Sequence, residues 1–108
     1  MDNTNVSVLA QLFPAAAVET LLFSVPLANR AFFQGLTVCN HGAADTFRVS
    51  ISLQGAATTA KDYIFFDNPL GANNTLLVEL DVTMGAKDAV RVVSTNGTCS
   101  FIMYGALV

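Results

Sequence analysis

Apolar and polar residues alternate with a period of two along most of this chain, the signature of extended strands with one buried face. The clearest case is Thr46-Phe47-Arg48-Val49-Ser50-Ile51-Ser52-Leu53-Gln54, where Phe47, Val49, Ile51 and Leu53 point one way and Arg48, Ser50, Ser52 and Gln54 the other. In residues 76–83, Leu76, Val78, Leu80 and Val82 alternate against Leu77, Glu79, Asp81 and Thr83, predicting a strand that shows a polar side to water or a partner. Similar runs at 18–25, 31–40, 63–66, 89–94 and 99–106 complete a set of seven, and 6–12, where Val6, Val8 and Ala10 alternate, is a possible eighth.

Turn-forming residues punctuate these runs: Pro26-Leu27-Ala28-Asn29, Asn40-His41-Gly42, Asn68-Pro69-Leu70-Gly71, Gly85-Ala86-Lys87-Asp88 and Asn96-Gly97. Asn-Gly tolerates positive φ at both centres of a type I′ turn, so residues 90–95 and 98–104 are expected to form an antiparallel hairpin. Only residues 14–20, with Ala15-Ala16-Ala17 after Pro14, suggest a helical turn. Seven or eight short strands in about a hundred residues predict an all-β, two-layer antiparallel β-sandwich of immunoglobulin-like or jelly-roll type. Residues 18–108 would form the sandwich and residues 1–17 either an arm laid on a neighbour or its first strand.

Tyr63-Ile64-Phe65-Phe66 has no polar side. A wholly apolar strand is buried on both faces, so in a sandwich its outer face would be covered by a neighbouring subunit or by the chain's own N-terminal segment. This makes Tyr63, Ile64, Phe65 and Phe66, together with Val6, Val8, Leu9, Leu12 and Phe13 of the N-terminal segment, the candidate protein-contact residues.

Composition strengthens that expectation. Of the 108 residues, 53% are hydrophobic and 12% charged, about half the charged share of an ordinary soluble domain. So little charge on so small a domain puts uncharged and apolar side chains on its surface, and contiguous apolar surface marks an interface. No stretch reaches the roughly 18 apolar residues of a spanning helix, and the start of the chain lacks the basic region of a signal peptide; no membrane role is expected, and synthesis and assembly are expected in a cytoplasm. The net charge of −3 and the dispersed Arg30, Arg48, Lys61, Lys87 and Arg91 form no basic stripe for nucleic acid.

Candidate chemistry is sparse. His41 is the single histidine, and Cys39, two residues before it, could join it in a dyad, although Asn40-His41-Gly42 reads as a turn. Cys39 and Cys99 read first as buried free thiols, with a disulfide as the alternative and metal binding or catalysis last. Glu79 with Asp81, and Asp62 with Asp67, are carboxylate pairs of the kind that cleave glycosides or hold calcium, but exposed acidic faces are the default reading, since the first pair sits in regular strand alternation and the second is split by four apolar residues. No nucleophile elbow, phosphate loop or histidine-rich metal spacing is present, and no catalytic residue, metal site or cofactor is expected. The sequons at Asn5, Asn73 and Asn96 are attributed to chance in an Asn- and Thr-rich chain.

The order Phe23-Ser24-Val25-Pro26, Leu36-Thr37-Val38-Cys39-Asn40, Thr46-Phe47-Arg48-Val49-Ser50-Ile51, Lys61-Asp62-Tyr63-Ile64 before Asn68-Pro69, and Ser100-Phe101-Ile102-Met103-Tyr104-Gly105 resembles that of small bacteriophage virion proteins. The resemblance covers residues 22–107. It implies a non-enzymatic component of the virion, either a head-decoration (cement) protein that clamps major capsid protein subunits and is itself a homo-oligomer, or a tail, neck or fibre module that could bind a receptor or carbohydrate, in both cases assembled in the host cytoplasm.

Overall fold

The architecture follows from where the alternating runs find partners. The computed structural model describes residues 6–108 and contains, among them, eight strands: β1 Ser7–Leu12, β2 Thr20–Ser24, β3 Ala31–Asn40, β4 Asp45–Ser52, β5 Tyr63–Leu70, β6 Thr75–Met84, β7 Ala89–Ser94 and β8 Cys99–Leu107. They form two sheets of four, β1-β8-β3-β6 (sheet A) and β2-β7-β4-β5 (sheet B), and every pairing is antiparallel. Only β4 and β5 are both consecutive and paired; every other connection crosses from one sheet to the other. That interleaving is the jelly-roll arrangement and decides between the two sandwich types the sequence allowed.

The expected hairpin at Asn96-Gly97 does not form, because β7 lies in sheet B and β8 in sheet A. The chain does reverse there: the Gly97 amide donates to the Ser94 carbonyl at 3.2 Å, and Gly97 holds φ 73°, where a side chain would be strained. The backbone donors that could have started a β7–β8 ladder go elsewhere, the Asn96 amide to the Asp45 carboxylate at 2.8 Å, the Thr95 amide to the Thr46 carbonyl at 3.0 Å and the Cys99 amide to the Ser94 hydroxyl at 3.1 Å, while the Ser94 and Thr98 hydroxyls donate to the same carboxylate at 2.6 and 3.1 Å. The edge of β7 is meanwhile occupied by β4 from Phe47↔Ser94 to Ser52↔Ala89.

Four other local expectations change. Residues 14–20 form no helix; Pro14 is buried and the chain turns at Ala16–Ala17, with Ala17 at φ 60°. Asn68 and Pro69 lie inside β5 rather than in a turn, which is possible because β5 is an edge strand and its proline need not donate to a ladder. Leu53 leaves the alternation of β4 by entering a 3-10 turn, Leu53–Gly55, and is exposed. Conversely Ser50 and Ser52, expected outside, are buried, because Arg91 holds the following loop over them by donating to the Ser52 hydroxyl and Ala56 carbonyl, both at 2.8 Å, and the Gly55 carbonyl at 3.2 Å.

The core is a layer of inward side chains from both sheets: Phe33, Leu36, Val38, Met84, Phe101 and Met103 from sheet A meet Phe47, Val49, Val90 and Val92 from sheet B. The phenyl rings of Phe47 and Phe101 meet edge-on across the interface, centroids 6.0 Å apart. β3 and β8 can approach closely because Gly105 has no side chain: a Cβ there would lie 1.8 Å from the Phe32 carbonyl oxygen.

Each sheet edge is irregular. Register shifts interrupt β1 against β8, β2 against β7, β6 against β3 and β5 against β4. Bulges at edges twist the free backbone groups away from a flat template and oppose strand-to-strand association.

Candidate functional site

Among the exposed large apolar side chains, Ile64 and Phe66 lie on one surface and Val8 and Phe13 on another. On the outer face of sheet B, shifts in the β4–β5 register and the positive φ of Asp67, 49°, bring Arg48, Tyr63, Phe66 and Asp67 together. Arg48 donates to both Asp67 oxygens, Nε to Oδ1 at 2.6 Å and Nη2 to Oδ2 at 3.2 Å, and its guanidinium carbon sits 4.2 Å from the Phe66 ring centre. Tyr63 meets Phe66 edge-on at 4.9 Å. The pair fixes its own ionisation: hydrogen bonding to Arg48 lowers the Asp67 pKa, and hydrogen bonding to Asp67 raises that of Arg48.

Phe66 nonetheless remains 57% exposed and Ile64 38%. Phe65 is turned the other way, half-buried against the core with its ring 5.5 Å from Phe47. The strip is thus not an apolar strand buried on both faces; it is an edge strand with Phe65 turned toward the core and Ile64 and Phe66 outside. The described N-terminal residues do not cover it, since β1 packs beside β2 at the opposite side of the sandwich.

The second surface is at that opposite side. Ser7–Leu12 is the edge strand of sheet A, where an extra residue at Leu9 shifts the pairing from Val8↔Tyr104 to Ala10↔Met103. The shift turns both Leu9 and Leu12 against the core, leaving Val8 and Phe13, each 60% exposed, as the large apolar side chains open to solvent there. Phe13 rests on His41, ring centres 5.3 Å apart. Val6 lies at the lip of a groove on the outer face of sheet A.

Polar candidates sort by register. Cys39 pairs with Ser100 and Cys99 with Asn40; neighbouring residues on a strand face opposite ways, so the two cysteines project from opposite faces of sheet A and cannot bridge. Both are free thiols, Cys99 buried and Cys39 partly exposed. Burial first, then the Asp45 charge, pushes the Cys99 thiol up to about 11, which makes it an inert core group. The same register sets Ser100 on the outer face, where its hydroxyl lies 2.9 Å from His41 Nε2. Ser100 carried no signal in sequence, because its neighbour is supplied by the β3–β8 pairing.

This hydroxyl–imidazole contact is an exposed start of a nucleophile–base pair, but among the described residues no carboxylate hydrogen-bonds to the imidazole to orient it as a base would require. Asp62 and Asp67 are used structurally: Asp62 caps the turn after Thr59, accepting from its amide at 2.8 Å, and Asp67 holds Arg48. Glu79 and Asp81 are exposed on sheet A, where with Gln34, Leu80, Val6 and Tyr104 they line a concavity of about 480 Å³. Among the described residues no group of three or more His, Cys, Asp or Glu converges to hold a metal ion, and no helix is long and apolar enough to cross a membrane.

No protein-family profile matches the chain, and no curated protein matches it. Solved structures do: the chain is similar to one in the structure of infectious bursal disease virus, Gx strain, with a TM-score of 0.57 and 15% identity, covering 94% of this chain and 30% of that one. At that identity the likeness is one of fold, and the chain spans under a third of the viral chain it resembles.

Proposed function

We propose that the chain is a non-enzymatic structural component of a virus particle, and that it serves as a decoration (cement) protein on a bacteriophage head, packing between major capsid protein subunits. The observation that carries this reading is the complete jelly roll, superimposable over 94% of its length on part of a viral chain, in a domain whose exposed apolar residues are held in a fixed pattern. Folds host many functions, so the surface matters as much as the topology. The Arg48–Phe66–Tyr63 cluster is the kind of rigid aromatic and guanidinium anchor on which binding energy concentrates, and bulged edges suit a subunit that must pack by its faces without polymerising. Many such modest contacts, repeated over a lattice, add through multivalency.

A second reading, a tail, neck or fibre module with a carbohydrate-binding platform, draws on the same exposed Tyr63 and Phe66. The two separate on copy number. Quantitative mass spectrometry of purified particles should find hundreds of copies for a cement protein, whereas about a dozen would replace it by the tail reading and none would remove both. Phe66→Ser should leave the fold intact and lower particle occupancy; unchanged occupancy would discard the β5 surface as the contact.

A further inference from the structure

The two outer faces carry related chemistry in different states. On sheet B an aromatic pair, a guanidinium and a carboxylate satisfy one another: Arg48 lies over Phe66 and is held by Asp67. On sheet A the aromatic and the carboxylates are present without a cation. Gly35 of β3 pairs with Glu79 of β6 on one side and with Tyr104 of β8 on the other. The Tyr104 ring leans into the space a Gly35 side chain would fill. Glu79 and Tyr104 thus flank a residue that has no side chain, two strand spacings or about 10 Å apart at the backbone.

Two bulges deepen this spot. Gln34 is an extra residue in β3 against β8, and between Phe33↔Val82 and Gly35↔Glu79 it is β6 that holds the extra residue. The result is two adjoining concavities of about 480 and 420 Å³ that share Gln34 and Asp81. The Gln34 side-chain oxygen is buried there without a hydrogen-bond partner. Among the described residues no Lys or Arg pairs with Glu79 or Asp81; the ion pairs are Arg48–Asp67 and Lys61–Asp62.

We propose that this groove is a binding site for an arginine side chain presented by a neighbouring protein chain. The lining offers two carboxylates beside an aromatic ring, and the buried Gln34 amide oxygen next to them has no partner of its own. A guanidinium matches it because it is always charged, offers five N–H donors in a plane and stacks on aromatic rings, whereas an ammonium is a strongly hydrated point charge. The molecule already builds this combination within itself at Arg48. That the arginine comes from an assembly partner rests on the function proposed above; the groove's preference for a guanidinium does not.

The test is titration of the isolated, full chain by two-dimensional amide NMR with N-acetyl-arginine methylamide, which carries only the guanidinium charge, and with its neutral isostere N-acetyl-citrulline methylamide. Calcium chloride and glucose serve as further probes. Shifts should concentrate at Gln34, Gly35, Glu79, Asp81 and Tyr104 with the arginine probe and weaken with added salt. Binding should fall about tenfold with citrulline and about tenfold in the Glu79→Gln/Asp81→Asn double variant, the loss expected when charge-assisted hydrogen bonds become neutral ones. Both substitutions are at exposed positions, and an unchanged amide spectrum elsewhere verifies the fold. Phe66→Ser should leave the titration unaltered, which separates this site from the β5 surface. Equal binding of citrulline, a response to calcium or glucose with the arginine probe silent, or silence with every probe would overturn the proposal, and none of these results alters the copy-number test.

Discussion

Asp45→Asn is the most informative single change in this domain, because one carboxylate organises the crossing between the sheets. Its Oδ1 accepts the Thr46 and Asn96 amides, both at 2.8 Å, and its Oδ2 accepts the Ser94 and Thr98 hydroxyls at 2.6 and 3.1 Å. Burial acts to raise its pKa, but the four hydrogen bonds outweigh that and hold it at about 2 instead of the ordinary 3.8. At 1.36 kcal/mol per unit, the difference of about 1.8 units caps the pH-linked stabilisation near 2.4 kcal/mol. The carboxylate sits close to the exposed Thr95 and Asn96, so screening by water brings this to about 1–2 kcal/mol. An asparagine in the same place can keep both amide donors on its oxygen, but its NH2 then faces Ser94 Oγ. That oxygen already accepts the Cys99 amide, so it can take the new donor only by leaving its own O–H without a partner, a further loss of about 1 kcal/mol.

Asp45→Asn should therefore cost about 2–3 kcal/mol at neutral pH. The native pKa is depressed, so the stabilisation is complete above the unfolded value near 3.8 and is lost as pH falls through about 2. Urea unfolding of both proteins at pH 7, 4 and 2.5 measures this directly, and the gap between them, which cancels the other titrating groups, should shrink by more than half of its pH-linked part at pH 2.5. A gap that stays constant across this range, or one below about 0.5 kcal/mol at pH 7, would show that Asp45 does not organise the turn as described.

Gly105→Ala should prevent folding or cost more than about 3 kcal/mol, since its Cβ would meet backbone at the Phe32 carbonyl; Gly35→Ala should cost less, because it displaces the Tyr104 side chain and not backbone. Thermal melts of the two variants check the order, and the reverse order would contradict the β3–β8 geometry. Under native conditions at pH 8, iodoacetamide should modify Cys39 well before Cys99, with Cys99 reacting only on unfolding; a Cys39–Cys99 disulfide in non-reducing peptide mapping would refute the register. Arg91→Leu should release the loop after β4 and expose Ser50 and Ser52, read as new proteolytic cleavage within residues 53–59; a digestion pattern unchanged from the parent would mean that Arg91 does not hold the loop.

The strands were legible in the sequence because each has one face in the core and one outside, which alternation reports directly: the reading of 31–40 and 89–94 coincides with β3 and β7. What alternation cannot report is the partner. Asn96-Gly97 announces a reversal, and the same dipeptide serves a hairpin within a sheet or a step between sheets; the choice was made by Asp45, some fifty residues earlier in the chain. The outward serines of β4 were misread for a related reason, since the loop that buries them is drawn in by Arg91 from the adjacent strand. Bulges hid the rest: at Leu9 and Gln34 an inserted residue breaks the period, so the inward turn of Leu9 and the groove beside Gln34 had no counterpart in the pattern.

The bulges also link the fold to the way the domain can be used. A sandwich of four-stranded sheets exposes four edges, and an apolar, weakly charged chain with flat edges would be prone to open-ended strand pairing. Here every edge pairing is interrupted, and two of the interruptions also shape an outer face. The β4–β5 shifts carry Phe66 outward beside Arg48, and the shifts around β3 open the acidic groove next to Tyr104. One edge interruption in each sheet thus also shapes an outer face, Phe66 beside Arg48 on sheet B and the groove beside Glu79 on sheet A, the latter together with the Gln34 bulge between the interior strands β3 and β8. If the Gln34 bulge shapes the groove, removing that extra residue by deletion should do two things together: restore regular β3–β8 pairing and abolish the groove. Amide exchange would read the first and the arginine titration the second. A deletion protein that folds, pairs regularly and still binds the probe as tightly as the parent would separate the bulge from the site and leave the groove without a structural cause.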